Sequence, residues 1–399
     1  MKNYKKTLLA SYLAFITQAI VANFTPLLFI KFHKDYNIPL GTIALISSVF
    51  YLAQLIVDVF CAKFIDLIGY RKSIIMSEVF SAIGLIGLAI LPDLFTKPFI
   101  VIMICVALYA VGSGLIEVLA SPIVEACPFD NKESVMSLLH SFYCWGALGV
   151  VLISSLFFTI FGIDNWKWIA CIWALVPLYN IYNFAICPIE QLVEEGQGLG
   201  TRKLLRLPLF WLSIVLMICA GASEISMAQW ASAYAEAALH LSKTVSDLFG
   251  PCMFAVTMGI SRVFYGKYGE KMDLKKYMLG SGILCLICYI FASLSMNPIV
   301  GLLGCVVCGA SVGIMWPGTI SISSKNIPTG GTALFAFLAM AGDLGGTIGP
   351  SIVGRIAQAN GDAIQIGLRA GSIFPIILIV CIILINNMEK KNKKEVENV

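Results

Sequence analysis

The sequence predicts an all-α integral membrane protein with twelve transmembrane helices in two six-helix halves. Three observations predict it. Of the 399 residues, 59% are apolar and 13% charged, with a mean hydropathy of +0.88; a soluble domain carries about a quarter charged residues. The apolar residues fall in long runs, on the scale of the ~20 residues a helix needs to cross a ~30 Å hydrocarbon core. The charges are bunched between those runs, with Lys and Arg concentrated on alternate connections.

The first run, near 8–30, follows Lys2, Lys5 and Lys6. It is longer than a signal-peptide core and has no small-x-small cleavage site, so it reads as an uncleaved first helix. Further runs lie near 42–64, 73–91, 98–126, 134–160 and 167–187, completing a first half over 1–187. The stretch 188–207 is different. It carries Glu190, Glu194, Glu195, Gly196, Gly198, Gly200, Arg202, Lys203 and Arg206, and reads as a cytoplasmic linker. The second half, 208–388, has runs near 208–236, 246–265, 274–295, 298–324, 329–358 and 368–387, followed by a lysine-rich tail, 389–399. Twenty of the 27 Lys and Arg fall in the termini and the connections after even-numbered helices; the other seven are Lys31, Lys34, Lys97, Lys167, Lys243, Arg355 and Arg369. Basic residues mark the cytoplasmic side, so both termini are expected there, in the plasma (inner) membrane.

Composition also excludes whole classes. The net charge of +4 sits in loops without an aromatic-lined patch, so nucleic acid is not an expected partner. The expected partners are the lipid bilayer and a small molecule, with the chain acting as a monomer. Thirteen cysteines are scattered through apolar stretches, where Cys behaves as a small hydrophobe. The pairs Cys285/Cys288 and Cys305/Cys308 have CxxC spacing but no His or acid nearby, and within a helix that spacing only shares a face. With three His in the chain, a His-built metal site is not expected. No Ser/His/Asp set, HExxH or P-loop is present, so neither an enzyme nor an ATP-driven pump is expected. A membrane receptor remains a rival class, one that would carry an appended signalling domain.

The two halves echo each other. The segment after helix 2 reads Ala62-x-x-x-Asp66-x-x-Gly69-Tyr70-Arg71-Lys72, and that after helix 8 reads Gly266-x-x-x-Glu270-Lys271. Helix 5 carries Gly146-x-x-Gly149, and helix 11 carries Gly346-x-x-Gly349-Pro350-x-x-x-Gly354. Close helix packing alone explains such glycines; two motif pairs at one offset of about 200 residues also fit parallel repeats that build a midplane site.

The first of these loops resembles the signature loop of the major facilitator superfamily, G-x-x-x-D-R-x-G-R-R. Asp66, Gly69 and Arg71 match it, while Ala62, Leu67 and Tyr70 depart. The resemblance implies a secondary transporter working by alternating access. The positive end of helix 11, near Thr329, would face Asp66, and the start of helix 5, near Ser134, would face Glu270; both contacts would act as gates that favour the outward-facing state. Asp58 and Arg262, near the cytoplasmic ends of helices 2 and 8, are expected as gate ion-pair partners, and Arg71 belongs to the same loop.

Charges at bilayer depth mark transport pathways by default. Glu117 lies in Gly112-Ser113-Gly114-Leu115-Ile116-Glu117-Val118-Leu119-Ala120-Ser121-Pro122, followed by Leu139-His140-Ser141-Phe142-Tyr143-Cys144-Trp145-Gly146-Ala147. These stretches resemble the fucose and glucose proton symporters, with G-x-x-E-x-x-x-N-P in helix 4 and L-x-x-(Q/H)-x-F-x-x-x-G-A in helix 5. The resemblance makes Glu117 the proton-carrying acid; its alternative placement is a helix-end carboxylate in the headgroup zone. His140 would contact substrate or sense protonation, or simply pack. That branch pairs the helix-4 acid with one in helix 1, where this chain has Gln18, Asn23 and Thr25 instead, and His140 and Tyr143 replace its sugar-binding amides. Fucose itself is therefore not the expected substrate.

In the second half, Gly221-Ala222-Ser223-Glu224 with Gln229 and Trp230 resembles a G-x-E…W stretch of the same branch. An aromatic face with amides nearby suits a sugar ring. Trp316 before Pro317 and Asp343, ~21 Å along helix 11 at 1.5 Å per residue, complete the candidates. The expected function is proton-coupled uptake of a sugar or similar polar metabolite. The proton is the coupling ion, carried by Glu117, Asp343 and Glu224, with no other cofactor. Asn23, His140, Tyr143, Gln229, Trp230 and Trp316 are the substrate contacts. The alternative is a proton-antiport exporter; such proteins place a Gly-Pro motif in helix 5, whereas here it lies in helix 11.

Overall fold

The computed structural model describes residues 3–192, 199–237, 248–295, 297–361 and 363–397. Helices are the regular structure, and no strand occurs among these residues. The spans are α1 (Tyr4–Asn23), α2 (Leu40–Ile68), α3 (Tyr70–Ile90), α4 (Pro98–Glu125), α5 (Lys132–Phe161) and α6 (Trp166–Ile186). They continue with α7 (Pro208–Ala237), α8 (Met253–Tyr268), α9 (Leu274–Leu294), α10 in two pieces (Pro298–Val312 and Met315–Asn326), α11 (Gly331–Ala359) and α12 (Ile373–Glu397). A short turn carries α1 into a further helix, Phe29–Tyr36.

Among the described residues, 11 segments are long and apolar enough to cross a bilayer. The twelfth predicted span, 246–265, is described from Leu248, as a π turn over Leu248–Cys252 that leads into α8. Pro251 has no N–H for the i→i−4 ladder, which explains the wider turn. Lys2, Lys243, Glu194, Glu195, Gly196 and Gly198 lie outside the described residues.

Local chemistry sets the helix ends. Proline opens α4, α7 and α10, at the position whose N–H would have no partner anyway. Asn131, Asp273 and Asn297 accept backbone N–H groups at the starts of α5, α9 and α10. Gly69, at φ +90°, makes the reversal between α2 and α3, a conformation costly for any residue with a Cβ.

The break in α10, predicted as one continuous run, has a sharper cause. Pro317 cannot donate to the carbonyl of Gly313, so the ladder parts at Gly313–Ile314 and that carbonyl is left to find another donor.

Contacts group the chain into two units. One comprises Met1–Asp130, Phe142–Gly198 and Gly331–Ala336; the other comprises Asn131–Ser141, Leu199–Gly330 and Phe337–Val399. The first turns of α5 thus cluster with the second unit and those of α11 with the first.

Within the first unit, α3 and α4 meet almost backbone to backbone. A Cβ on Gly84 would lie 2.8 Å from the Cys105 carbonyl, and one on Gly112 would lie 2.5 Å from the Ser77 carbonyl. Gly146 of α5 packs on Ile16 and Ala19 of α1. In the second unit Gly345 and Gly349 of α11 pack on Ile218 and Ala222 of α7. The same close approach therefore recurs in both units, helix 5 on helix 1 and helix 11 on helix 7.

Candidate functional site

In the first unit, polar side chains from four helices gather around Glu117. The Gln18 amide of α1 donates to Glu117 Oε2 at 3.0 Å, and the Gln54 amide of α2 donates to the same oxygen. Ser113, one turn earlier on α4, donates to Gln54 Oε1 at 3.2 Å and so fixes which way that amide points. Tyr143 of α5 faces Asn23 of α1, with Tyr51 and Glu117 near enough to act on its hydroxyl. Asn23 also caps back onto the Ala19 carbonyl at 2.9 Å. Glu117, Asn23 and Tyr143 are all half-buried, and Asp58, a turn beyond Gln54, is fully buried.

In the second unit the centre is Arg262 of α8, 3% exposed. Its Nε donates to the Gly313 carbonyl at 2.9 Å, the group freed by Pro317. Its Nη1 reaches the His140 carbonyl at 3.1 Å, and its Nη2 pairs with Glu224 Oε2 of α7 at 3.2 Å. Ser137 of α5 donates in turn to the Arg262 carbonyl at 2.8 Å. One guanidinium thus joins α7, α8, the start of α5 and the break in α10, with its charge matched by a carboxylate. Glu133, in the first turn of α5, pairs with Lys325 and accepts from Tyr265 in the same unit.

The remaining predicted residues fall elsewhere. The Trp316 ring lies against the bare backbone of Gly342, next to Asp343, which is half-buried on α11. Trp230 donates its indole N–H to the Pro350 carbonyl at 3.0 Å and packs against Gly354, while Gln229 is exposed. His140 is buried, with its main chain bound to Arg262. Arg71 caps the end of α6, donating to the carbonyls of Phe184, Ala185 and Cys187. Glu270 is exposed in the turn Gly269–Lys271, and the side chain of Asp66 lies outside the described residues.

Sequence reasoning missed Gln54, whose type is unremarkable and whose role depends on α2 facing α4. It also missed Glu78 of α3, fully buried, which an intramembrane charge should have signalled.

The sequence profile of the Major Facilitator Superfamily matches residues 8–395, nearly the whole chain. The chain belongs to that superfamily. It is a multi-pass membrane transporter protein by family, and solved members share its fold. A variant of the E. coli fucose:proton symporter FucP superposes with a TM-score of 0.81 at 15% identity, over 96% of this chain and 99% of that one. The proton:xylose symporter XylE gives 0.78 at 12% identity, over 94% of each chain. The human organic anion transporter MFSD10 gives 0.75 at 15% identity, over 96% and 100%. At such identities the likeness is one of fold. Among curated proteins none matches the sequence. In this superfamily member the departure at Tyr70 has a visible use: its hydroxyl meets Thr332 at the start of α11, 2.5 Å away, within the first unit.

Proposed function

We propose that this protein is a proton-coupled secondary transporter that takes up a sugar or a similar polar metabolite by alternating access. In this reading it acts as a monomer in the plasma membrane with both termini cytoplasmic. The observation that carries the reading is the polar cluster around Glu117: a carboxylate inside a spanning helix, held by two amides, beside Asn23 and the tyrosines 51 and 143. The acid supplies a group that can take and return a proton. The amides and hydroxyls supply the directional bonds that a polyhydroxylated solute exchanges for water. FucP and XylE, which share the fold, are named as a fucose:proton and a proton:xylose symporter.

Arg262, Glu224, Asp58 and Arg71 serve the conformational cycle in this reading, with Asp66 and Glu270 at its loops. Asp343 beside Trp316 is a second polar point for solute, whereas the N–H of Trp230 is already committed to Pro350.

The test is proton movement in proteoliposomes of the full chain, with L-fucose, D-xylose, D-glucose and a deoxyhexose panel, wild type against Glu117→Gln. Sugar-driven alkalinisation outside the vesicles, lost in Glu117→Gln, is the expected result. If no sugar moves protons while lipophilic cations do, the uptake reading is wrong and export by antiport replaces it.

A further inference from the structure

Glu78 takes no part in the cluster above, yet it is 0% exposed inside spanning helix α3. Its Oε1 accepts from Asn180 Nδ2 of α6 at 2.8 Å, and the second proton of the same amide goes to the Ala10 carbonyl of α1 at 2.9 Å. Thr17 of α1 faces the carboxylate as well. The Thr17 hydroxyl and Glu78 Oε2 are both buried and have no hydrogen-bond partner within bonding geometry among the described residues. Three helices, α1, α3 and α6, are thus joined at one buried carboxyl group.

The next residue along α1 is Gln18, which donates to Glu117. Adjacent residues on a helix point about 100° apart, so α1 presents one polar side chain to the carboxyl of α3 and its neighbour to the carboxyl of α4. The spacing of those two carboxyls is not adjustable, because Gly84 and Gly112 bring the backbones of α3 and α4 into contact. The rotation of α1 about its own axis is what remains to be set. Ala10 and Thr17 lie seven residues apart, about 10 Å along the helix, so holding both fixes that rotation. We propose that Glu78, acting with Asn180 and Thr17, is a positioning residue that sets α1 so that Gln18 lies on the Glu117 carboxyl.

This rests on the reading of Glu117 as the proton-coupling acid, and the experiment separates the two. The groups facing Glu117 include Gln18 from α1, Gln54 from α2 and Tyr143 from α5; Asp58 is the nearest other acid along α2. Those facing Glu78 are Thr17 and Asn180. The readout is the infrared carboxyl band of the purified full-length protein, titrated with pH. The portion lost in Glu117→Gln belongs to Glu117, so no solute is needed.

Gln18→Leu is expected to move the midpoint of that band by about one pH unit, the size of one lost bond to a charged group. Glu78→Leu should move it in the same sense by a similar amount, and should add nothing in the Gln18→Leu background. Glu78→Gln keeps an oxygen for Asn180 and should stay near wild type. If Glu78→Leu does not fold, Asn180→Leu and Thr17→Val remove the same restraint from the other helices and carry the same expectation. A Glu117 band that moves with Gln18→Leu but with none of the Glu78, Asn180 or Thr17 variants overturns the positioning role. So does a Glu78→Leu shift that adds to that of Gln18→Leu. If no Glu117-dependent band titrates at all, the coupling reading fails first.

Discussion

Replacing Arg262 by leucine removes three hydrogen bonds at once and leaves the Glu224 carboxylate beside an apolar chain. Deleting one partner of a buried ion pair costs about 3–5 kcal/mol, because the other charge stays buried. The two carbonyls lose less equally. His140 sits inside α5, where the helix supplies a donor, whereas Gly313 depends on Arg262 because Pro317 has no N–H. A buried acceptor without a donor adds about 1–3 kcal/mol. Replacing both charges together is different, since apolar groups of similar volume in place of a buried pair are often close to neutral. The expected order is therefore unusual: Arg262→Leu should be less stable than Arg262→Leu combined with Glu224→Leu. The assay is thermal unfolding of the purified full-length protein in detergent for the wild type, both single variants and the double variant. A single variant within about 1 kcal/mol of wild type, or a double variant at the sum of the singles, would refute the reasoning.

Three further outcomes follow from the same geometry. Gly345→Ala drives a Cβ into the Ile218 carbonyl of α7 and should cost about 1–3 kcal/mol. Gly149→Ala meets nothing within 4 Å and should be neutral or stabilising by up to about 1 kcal/mol, so the two melts should move apart. Arg71→Met removes the cap on α6 and should raise hydrogen exchange in that helix's last turn, at about 1.5–3 kcal/mol; unchanged exchange there would count against the cap. Trp230→Phe loses the bond to Pro350, so a melt lowered by about 1 kcal/mol with an unchanged KM for the transported solute is expected, and a raised KM would place Trp230 in the solute path.

The spans were legible in the sequence because lipid admits few ways to hide a backbone, and a long apolar run leaves little besides a helix. The break in α10 was legible only in part. Pro317 was visible, but nothing in the order of residues says that Arg262, 51 positions earlier than Gly313, takes the carbonyl it frees. Glu117 could be read because a charge in an apolar run is conspicuous. In the sequence Gln18 and Gln54 show only their type, since an amide becomes informative only when the facing helix is known. Glu270 was expected near the start of α5 by analogy with Asp66. The structure places Glu133, Ser134 and Ser137 of that start on Tyr265, Lys325 and Arg262, with Glu270 exposed beside them.

Glu117 and Glu224 differ in what their partners can do, and the proposed reading gives them different work. An amide has a donor and an acceptor on one rotatable group. Gln18 and Gln54 donate to Glu117 as a carboxylate and can turn an oxygen toward it as an acid, so both protonation states find a partner. A guanidinium has donors alone. A proton on Glu224 would leave Arg262 buried with its charge unmatched by that carboxylate, and would weaken the hold on α10 and on the start of α5 through the same side chain. In the proposed cycle Glu117 changes state while its surroundings stay put, and Glu224 stays paired with Arg262 while the helices they tie hold their places. On that proposal a proton cycle runs through the first acid without dismantling the second.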